Sequence, residues 1–226
     1  MMTTAAEFVV TLDGGAAAGK SSTSRELAHR FDLLHVDTGS HYRAMTHAMV
    51  AAGVSLTDEA AVAAALPHMD LGWQREGQTA QIALSGRVLT VRELRSDAVN
   101  AQVSQVAAIP AVRAFLRDFQ RGFQRAAPEA GFAGLIMEGR DIGSVIFPDA
   151  PLRFFLVADE HTRILRRAAE GQQDAIAERD RRDSSRKTAP LICPEGAVSI
   201  DTSKLTLDEV VSELSSHLKR WLSARS

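Results

Sequence analysis

A glycine-rich loop near the start of the chain constrains its fold more than any other feature. Residues Gly14–Ser21 read GGAAAGKS and match the pattern G-x-x-x-x-G-K-[S/T] in full. The loop follows a short apolar run, Glu7–Asp13, and precedes a segment with helical spacing, Ser21–Phe31. Strand, glycine-rich loop and helix in this order predict a phosphate-binding loop (P-loop) in an α/β fold.

Each position of the loop has a chemical reason. Small residues let the backbone wrap around a phosphate chain, and the helix that begins near Lys20 adds the positive end of its dipole. Lys20 offers a cation to the β- and γ-phosphates, and the Ser21 hydroxyl can bind Mg²⁺, although Ser22 offers a second hydroxyl. The alternative to a P-loop is an ordinary Gly/Ala turn between the strand and the helix. The predicted nucleotide-binding residues are Gly14, Gly15, Ala16, Ala17, Ala18, Gly19, Lys20, Ser21 and Ser22.

Short apolar runs alternate with helical segments over most of the chain. Predicted strands after the first are Leu33–Asp37, Gly134–Glu138, Leu152–Val157 and Ala197–Asp201. Predicted helices include Tyr42–Ala52 and an amphipathic closing helix, Leu207–Leu222. This alternation predicts a five-stranded parallel sheet flanked by helices.

The middle of the chain has a different pattern. Three short runs, Met69–Trp73, Thr79–Leu84 and Arg87–Leu89, are joined by tight turns at Gly77 and Gly86. Such turns are typical of antiparallel hairpins and do not fit the parallel core. We therefore expect a small antiparallel β insert over roughly residues 65–95, followed by a helical stretch over 99–125.

Composition excludes several classes of protein. The 226 residues are 45% hydrophobic with a formal net charge of −2, which gives no sign of a nucleic-acid or anionic membrane partner. The single cysteine, Cys193, excludes an intrachain disulfide and a cysteine-rich zinc site. No apolar run approaches the roughly 18 residues of a membrane span, and no secretory signal precedes the first strand. We expect a cytoplasmic protein.

Arginines stand beside carboxylates in three further segments. They are Asp37–Arg43, Glu138–Asp141 and Arg179–Arg186. The planar arginine fork suits phosphate oxygens, and ligands of open α/β sheets bind beyond the carboxyl ends of the strands. We expect the first two segments to share a site with the P-loop. Local alternatives remain for each, such as a helix cap for Asp141 or an exposed i,i+4 pair for Arg179 and Asp183.

Longer motifs carry a resemblance to a known family. They are Gly14–Ser22, Asp37-Thr-Gly with Tyr42-Arg43, Asn100–Arg113 (NAQVSQVAAIPAVR), Glu138–Asp149 (EGRDIGSVIFPD) and Arg179–Leu191, which ends in Ala-Pro-Leu. Together they make nearly the whole chain similar to bacterial-type cytidylate (CMP/dCMP) kinases. Those enzymes are P-loop nucleoside monophosphate (NMP) kinases with a comparable β insert.

The resemblance implies a role for each matching position. Arg43 and Arg140 would hold the CMP phosphate, with Thr38 beside the acceptor. Ser104, Arg113, Asp141 and Arg186 would surround the cytosine, and Arg179 and Asp183 would reach the sugar. Lys20, Arg140 and Arg182 would neutralise charge on the transferred phosphoryl group.

The resemblance also implies an organisation. The core would comprise about residues 1–38, 130–160 and 190–226, the NMP-binding region with the β insert about 39–129, and a helical lid about 161–189. The lid segment 167–178 is shorter than that of relatives by about ten residues. Thr38 and Glu138 stand where relatives often carry serine and aspartate. ATP as donor, Mg²⁺, CMP or dCMP as acceptor and a monomeric state are implied.

The proposed acceptor makes chemical sense. Cytosine presents an amine that can donate a hydrogen bond to Asp141, and a ring nitrogen that can accept one from Arg113 or Ser104. In uracil the corresponding groups are an acceptor oxygen and a donor N–H. Two alternatives stay open: a P-loop kinase for another small acceptor such as UMP, shikimate or a sugar, and a non-catalytic nucleotide-binding module. The preference between CMP and dCMP is also open.

Overall fold

The computed structural model describes residues 8–169, 181, 183–186 and 189–225. Two predicted site residues, Arg179 and Arg182, lie outside the described residues. The strands are β1 Phe8–Gly14, β2 Leu33–Asp37, β3 Leu71–Glu76, β4 Thr79–Leu84, β5 Arg87–Val88, β6 Gly134–Gly139, β7 Leu152–Val157 and β8 Val198–Asp201. The α-helices are α1 Lys20–Phe31, α2 Thr38–Ala51, α3 Glu59–Ala65, α4 Val91–Leu94, α5 Asp97–Val106, α6 Pro110–Glu129, α7 Glu160–Ala169 and α8 Leu207–Ser223. Leu66–His68 forms a 3₁₀ turn, and Ile142–Ile146 forms a π-helical turn.

Five adjacent strands of the sheet are parallel, in the order β2-β6-β1-β7-β8, and β8 lies at one edge. The central strand, β1, pairs with β6 from Phe8↔Gly134 to Asp13↔Gly139 and with β7 on its other side. Every residue of β1 and β6 is buried, as expected of strands covered on both faces. The predicted parallel sheet flanked by helices is confirmed.

The hairpin strands are antiparallel, as predicted, since β4 pairs with both β3 and β5. They nevertheless continue the central sheet instead of standing apart from it. A parallel bridge, His35↔Thr79, joins β4 to β2, and the His35 amide donates to the carbonyl oxygen of Gln78 at 2.7 Å. One such bridge leaves no sequence pattern, so the prediction that the hairpin does not fit the parallel core was wrong on this point.

Two helix boundaries differ from the predictions for local reasons. Helix α2 begins at Thr38 and not at Tyr42, because Asp37 caps it by accepting a hydrogen bond from the Gly39 amide at 2.9 Å. The helical stretch over 99–125 divides into α5 and α6, with Pro110 in the first turn of the second helix. Proline fits that position because it has no amide hydrogen to donate.

Apolar side chains fill both faces of the sheet. On one face Leu27 of α1 and Leu214 of α8 pack with Phe154 of β7, and on the other Phe123 of α6 packs with Met137 of β6. A third cluster holds α2, α5 and α6 together. These layers fix the carboxyl ends of β1, β2 and β6 at one edge. Among the described residues, no helix is both long enough and apolar enough to cross a membrane.

Candidate active site

The P-loop has the tight backbone that its sequence predicts. A Cβ atom on Gly14 would lie 2.2 Å from the carbonyl oxygen of Leu156, so only glycine lets β1 pass β7 here. Gly19, directly before α1, has a φ of +94°. The Lys20 ammonium lies over the loop and donates to the carbonyl oxygens of Gly14 at 2.9 Å and Gly15 at 2.7 Å.

The two adjacent serines point to different surroundings. The Ser21 hydroxyl lines the cavity beside the P-loop and donates to Oε2 of Glu138 at 2.9 Å, whereas Ser22 is exposed and lines a separate surface cleft. Hydroxyl and carboxylate oxygens are ligands that suit Mg²⁺. Ser21 with Glu138 is therefore the pair that could hold the metal of a nucleotide complex.

Glu138, at the end of β6, is 2% exposed and surrounded by donors. Its Oε1 lies 2.9 Å from Nε2 of His35 and accepts from the Ser24 hydroxyl at 3.1 Å. Burial alone would raise the pKa of the Glu138 carboxyl, but the hydrogen bond from His35 and the nearby Lys20 charge lower it below its usual value. Burial and the neighbouring Glu138 charge raise the pKa of Asp37.

The two arginines predicted to hold the acceptor phosphate reach the cavity from different elements. Arg43 of α2 is 6% exposed, and its Nη1 donates to the carbonyl oxygen of Leu94 and to Oδ1 of Asn100 at 2.9 and 2.7 Å. Arg140, directly after β6, donates from Nη1 to the carbonyl oxygen of Gly14 at 2.7 Å. The guanidinium groups thus border a space that the P-loop closes on its other side.

Asp141 and Arg113 form a buried ion pair at the far side of this space. Arg113 also donates to the carbonyl oxygen of Ala107 at 3.0 Å and lies 5.6 Å from the ring centroid of Tyr42. Burial raises the pKa of Asp141, although the charges of Arg113 and Arg186 oppose that change. A buried carboxylate held by a planar cation is suited to reading the hydrogen-bonding edge of a base.

Asp183, in the predicted lid segment, contacts arginines from two parts of the chain. It is 2% exposed, accepts from Nε of Arg140 at 2.8 Å and pairs with Arg186. Burial lowers the pKa of the Arg186 guanidinium, with the Asp183 charge acting in the opposite direction. The described residues 183–186 are therefore tied to the end of β6.

One cavity brings together most of the predicted site residues. Those that line it are Ala16, Ala17, Lys20, Ser21, Thr38, Arg43, Ser104, Arg140, Asp141, Asp183 and Arg186. Gly14, Gly15, Ala18, Gly19 and Ser22 do not line it, and Arg113 meets it through Asp141. Thr38 also donates to the carbonyl oxygen of Glu138 at 2.8 Å.

Several lining residues had no predicted role. Arg95 and Arg167 also border the cavity, as do Asp37 and Tyr42 of the predicted segment Asp37–Arg43. On the same helix as Arg167, Arg163 donates to the carbonyl oxygen of Ala16 at 3.3 Å and Arg166 donates to Thr202. The spacing i, i+3, i+4 from Arg163 places these three arginines on one side of α7, and that spacing is the signal that could have found them.

Asp13, the last β1 residue before the loop glycines, joins the two sides of the site. It is fully buried and accepts the amide hydrogens of Ile142 at 2.8 Å and Gly143 at 2.7 Å. These amides follow Asp141 directly. Burial raises the pKa of the Asp13 carboxyl to about 6 despite the two amide donors.

Comparison with known proteins finds similarity over most of the chain. A sequence model described as cytidylate kinase matches residues 10–220. Curated cytidylate kinases of Streptomyces coelicolor and Nocardia farcinica are 40% and 39% identical to it, covering 92% and 97% of this chain and 91% and 97% of the relatives. That of Limosilactobacillus reuteri is 37% identical over 93% of this chain and 95% of the relative. The chain therefore belongs to the cytidylate kinase family.

Proposed function

We propose that this chain transfers the γ-phosphoryl group of ATP to CMP or dCMP, giving ADP and CDP or dCDP. It would be an ATP-dependent phosphotransferase with a phosphate group as acceptor. The observation that carries the proposal is a single cavity that P-loop residues border on one side and an arginine-carboxylate cluster borders on the other. Family membership supports the same reaction.

The acceptor is already a phosphate dianion, so the reaction needs no general base. Catalysis then rests on positioning and on neutralising the charge of the transferred group. Lys20 and Arg140 are the candidates for this neutralisation. Both side chains contact the carbonyl oxygen of Gly14, so two cations lie beside the P-loop. Arg43, held by Leu94 and Asn100, would bind the acceptor phosphate.

Mg²⁺ fits the oxygen pair of Ser21 and Glu138. The Ser21 hydroxyl donates its hydrogen to Glu138, which leaves its lone pairs available to a cation. A bound Mg²⁺ would neutralise charge on the β- and γ-phosphates.

Base selection would fall to the buried pair of Asp141 and Arg113. Asp141 can accept from the cytosine amine, while Ser104 or Arg113 can donate to the ring nitrogen. UMP would place an oxygen against Asp141, and an unpaired buried group costs about 1–3 kcal/mol. We expect modest discrimination against UMP.

The sugar would be reached from the lid segment. Asp183 is buried between Arg140 and Arg186, so it is close to the acceptor side. Arg179 would join it at the ribose, and Arg182 would help to neutralise the transferred phosphoryl group. We also propose that the enzyme acts as a monomer in the cytoplasm, without a nucleic-acid or membrane partner.

A substrate panel tests the proposal. Initial rates of ADP formation are measured with CMP, dCMP, UMP, shikimate and a sugar at fixed Mg-ATP. We expect CMP or dCMP to give the highest kcat/KM. A preference for another acceptor would favour a different P-loop kinase, and tight nucleotide binding without turnover of any acceptor would favour a binding module.

A further inference from the structure

A chain of four polar side chains runs from the hairpin to the P-loop helix. Thr79 of β4 meets Nδ1 of His35 at 3.3 Å, and Nε2 of His35 meets Oε1 of Glu138 at 2.9 Å. Oε2 of Glu138 accepts from the Ser21 hydroxyl at 2.9 Å. His35 and Glu138 are each 2% exposed, so the middle of this relay is shielded from water.

The hydrogen positions follow from the chemistry of the groups. An ionised carboxylate can only accept, so Nε2 of His35 carries the hydrogen that points to Glu138. In the neutral ring Nδ1 then accepts from the Thr79 hydroxyl. Both ring nitrogens therefore have a partner. The backbone of His35 pairs with Thr79 on one side and with Ile136 on the other.

Donors on both oxygens fix the orientation of the carboxylate. Oε1 of Glu138 accepts from His35 and lies 3.1 Å from the Ser24 hydroxyl, whose single hydrogen is also directed at the carbonyl oxygen of Lys20 at 2.9 Å. Oε2 accepts from Ser21. A fixed Oε2 in turn fixes where the Ser21 hydrogen points. Partners that orient a metal ligand from behind are worth about 10- to 100-fold in metal affinity.

We propose that His35 is a positioning residue for phosphoryl transfer: through Glu138 it holds the Ser21 hydroxyl with its lone pairs available to the nucleotide's Mg²⁺. This inference rests on the proposed function for its catalytic meaning. It goes beyond it by assigning a task to a residue of β2 that does not line the cavity. It also gives the bridge between the hairpin and β2 a role in the reaction.

The test compares ADP binding with and without Mg²⁺ by titration calorimetry. In His35→Leu we expect the ratio of the two affinities to fall by about tenfold, while the affinity for metal-free ADP changes by less than about twofold. His35→Gln retains an amide donor toward Glu138, so most of the ratio should return. The exposed His29 offers a matched control, and His29→Gln should leave the ratio unchanged.

Kinetics give a second readout. We expect His35→Leu to lower kcat with Mg-ATP while the KM for CMP stays constant, and His35→Gln to restore kcat. If the leucine variant does not fold, Thr79→Val carries the test, with a smaller fall in the Mg²⁺ ratio. A ratio equal to that of the wild type in folded His35→Leu or Thr79→Val overturns the proposal. Failure of the wild type to phosphorylate CMP would contradict the proposed function. The ratio of ADP affinities with and without Mg²⁺ would still test the role of His35.

Discussion

Arg140 donates from Nη1 to the carbonyl oxygen of Gly14 at 2.7 Å and thereby places its guanidinium group against the P-loop. Its Nε donates to Asp183 at 2.8 Å. One side chain thus contacts both the P-loop and Asp183. Under the proposed function, the donor and acceptor phosphates would meet beside this side chain.

Removing the P-loop cation tests the charge-neutralising mechanism. We expect Lys20→Ala to lower kcat by about 10²- to 10³-fold, because loss of one preorganised donor to a developing charge has an effect of that size. Steady-state ADP formation and circular dichroism would be measured together. Lys219→Ala, on the exposed side of α8, is the control. Near-normal turnover in Lys20→Ala would contradict the mechanism.

Asp141 should govern the acceptor and not the donor. Asp141→Asn keeps the shape but replaces an acceptor oxygen with an amide donor, so we expect the KM for CMP to rise at least about tenfold. The KM for ATP should stay within about twofold. The truncation Asp141→Ala should show the same selectivity but lose stability as well, because it leaves Arg113 buried without its partner.

The exposed Asp118 of α6 is the matched control for that substitution. Asp118→Asn should leave both KM values unchanged. Equal losses for CMP and ATP in Asp141→Asn would argue against a role in base recognition.

Asp13 predicts a pH dependence of folding. Its pKa in the folded chain is about 6, above the ordinary value near 4, so the folded state retains the proton to a higher pH than the unfolded state does. The stability contributed by Asp13 is therefore present at low pH and decreases as the pH rises through 6. Relative to Asp13→Asn, we expect the wild-type free energy of unfolding to fall by up to about 3 kcal/mol between pH 4 and 7.

Urea unfolding of both proteins across that range measures the difference. A difference that stays flat or rises with pH would show that the two amide donors, Ile142 and Gly143, outweigh burial.

The backbone of the P-loop can be tested separately from its charge. In Gly14→Ala the new Cβ would meet the carbonyl oxygen of Leu156 at 2.2 Å, so we expect a loss of about 1–3 kcal/mol in the free energy of unfolding. Gly122→Ala is the control, because a Cβ there meets nothing within 4 Å and α6 should gain about 0.5–1 kcal/mol. Thermal or urea unfolding would distinguish the two. An undisturbed Gly14→Ala variant would contradict the close passage of β1 and β7.

Features that depend on neighbours in the chain were predictable from the sequence. The P-loop follows from Gly14–Ser21, and the parallel strands follow from their apolar runs, because both signals are local. The approach of Arg140 and Asp141 to the P-loop was predictable because the carboxyl ends of parallel strands meet at one edge.

Long-range pairings were not predictable in the same way. His35 of β2 contacts Glu138 on the neighbouring strand β6, and Asp13 accepts from amides 129 and 130 positions away along the chain. Both depend on strand order, which the strand pattern alone does not determine. The hairpin joined the sheet through one bridge at Thr79, and α2 began early because Asp37 caps it.

The most direct test of the central claim uses a single molecule that would occupy both nucleotide positions of the cavity. Cytidine and adenosine joined 5′ to 5′ by a chain of five phosphates would be titrated into the protein by calorimetry. We predict that it binds more tightly than CMP or ATP alone and is displaced by either nucleotide. Displacement by ATP only, with CMP binding unimpeded, would contradict a shared cavity for donor and acceptor.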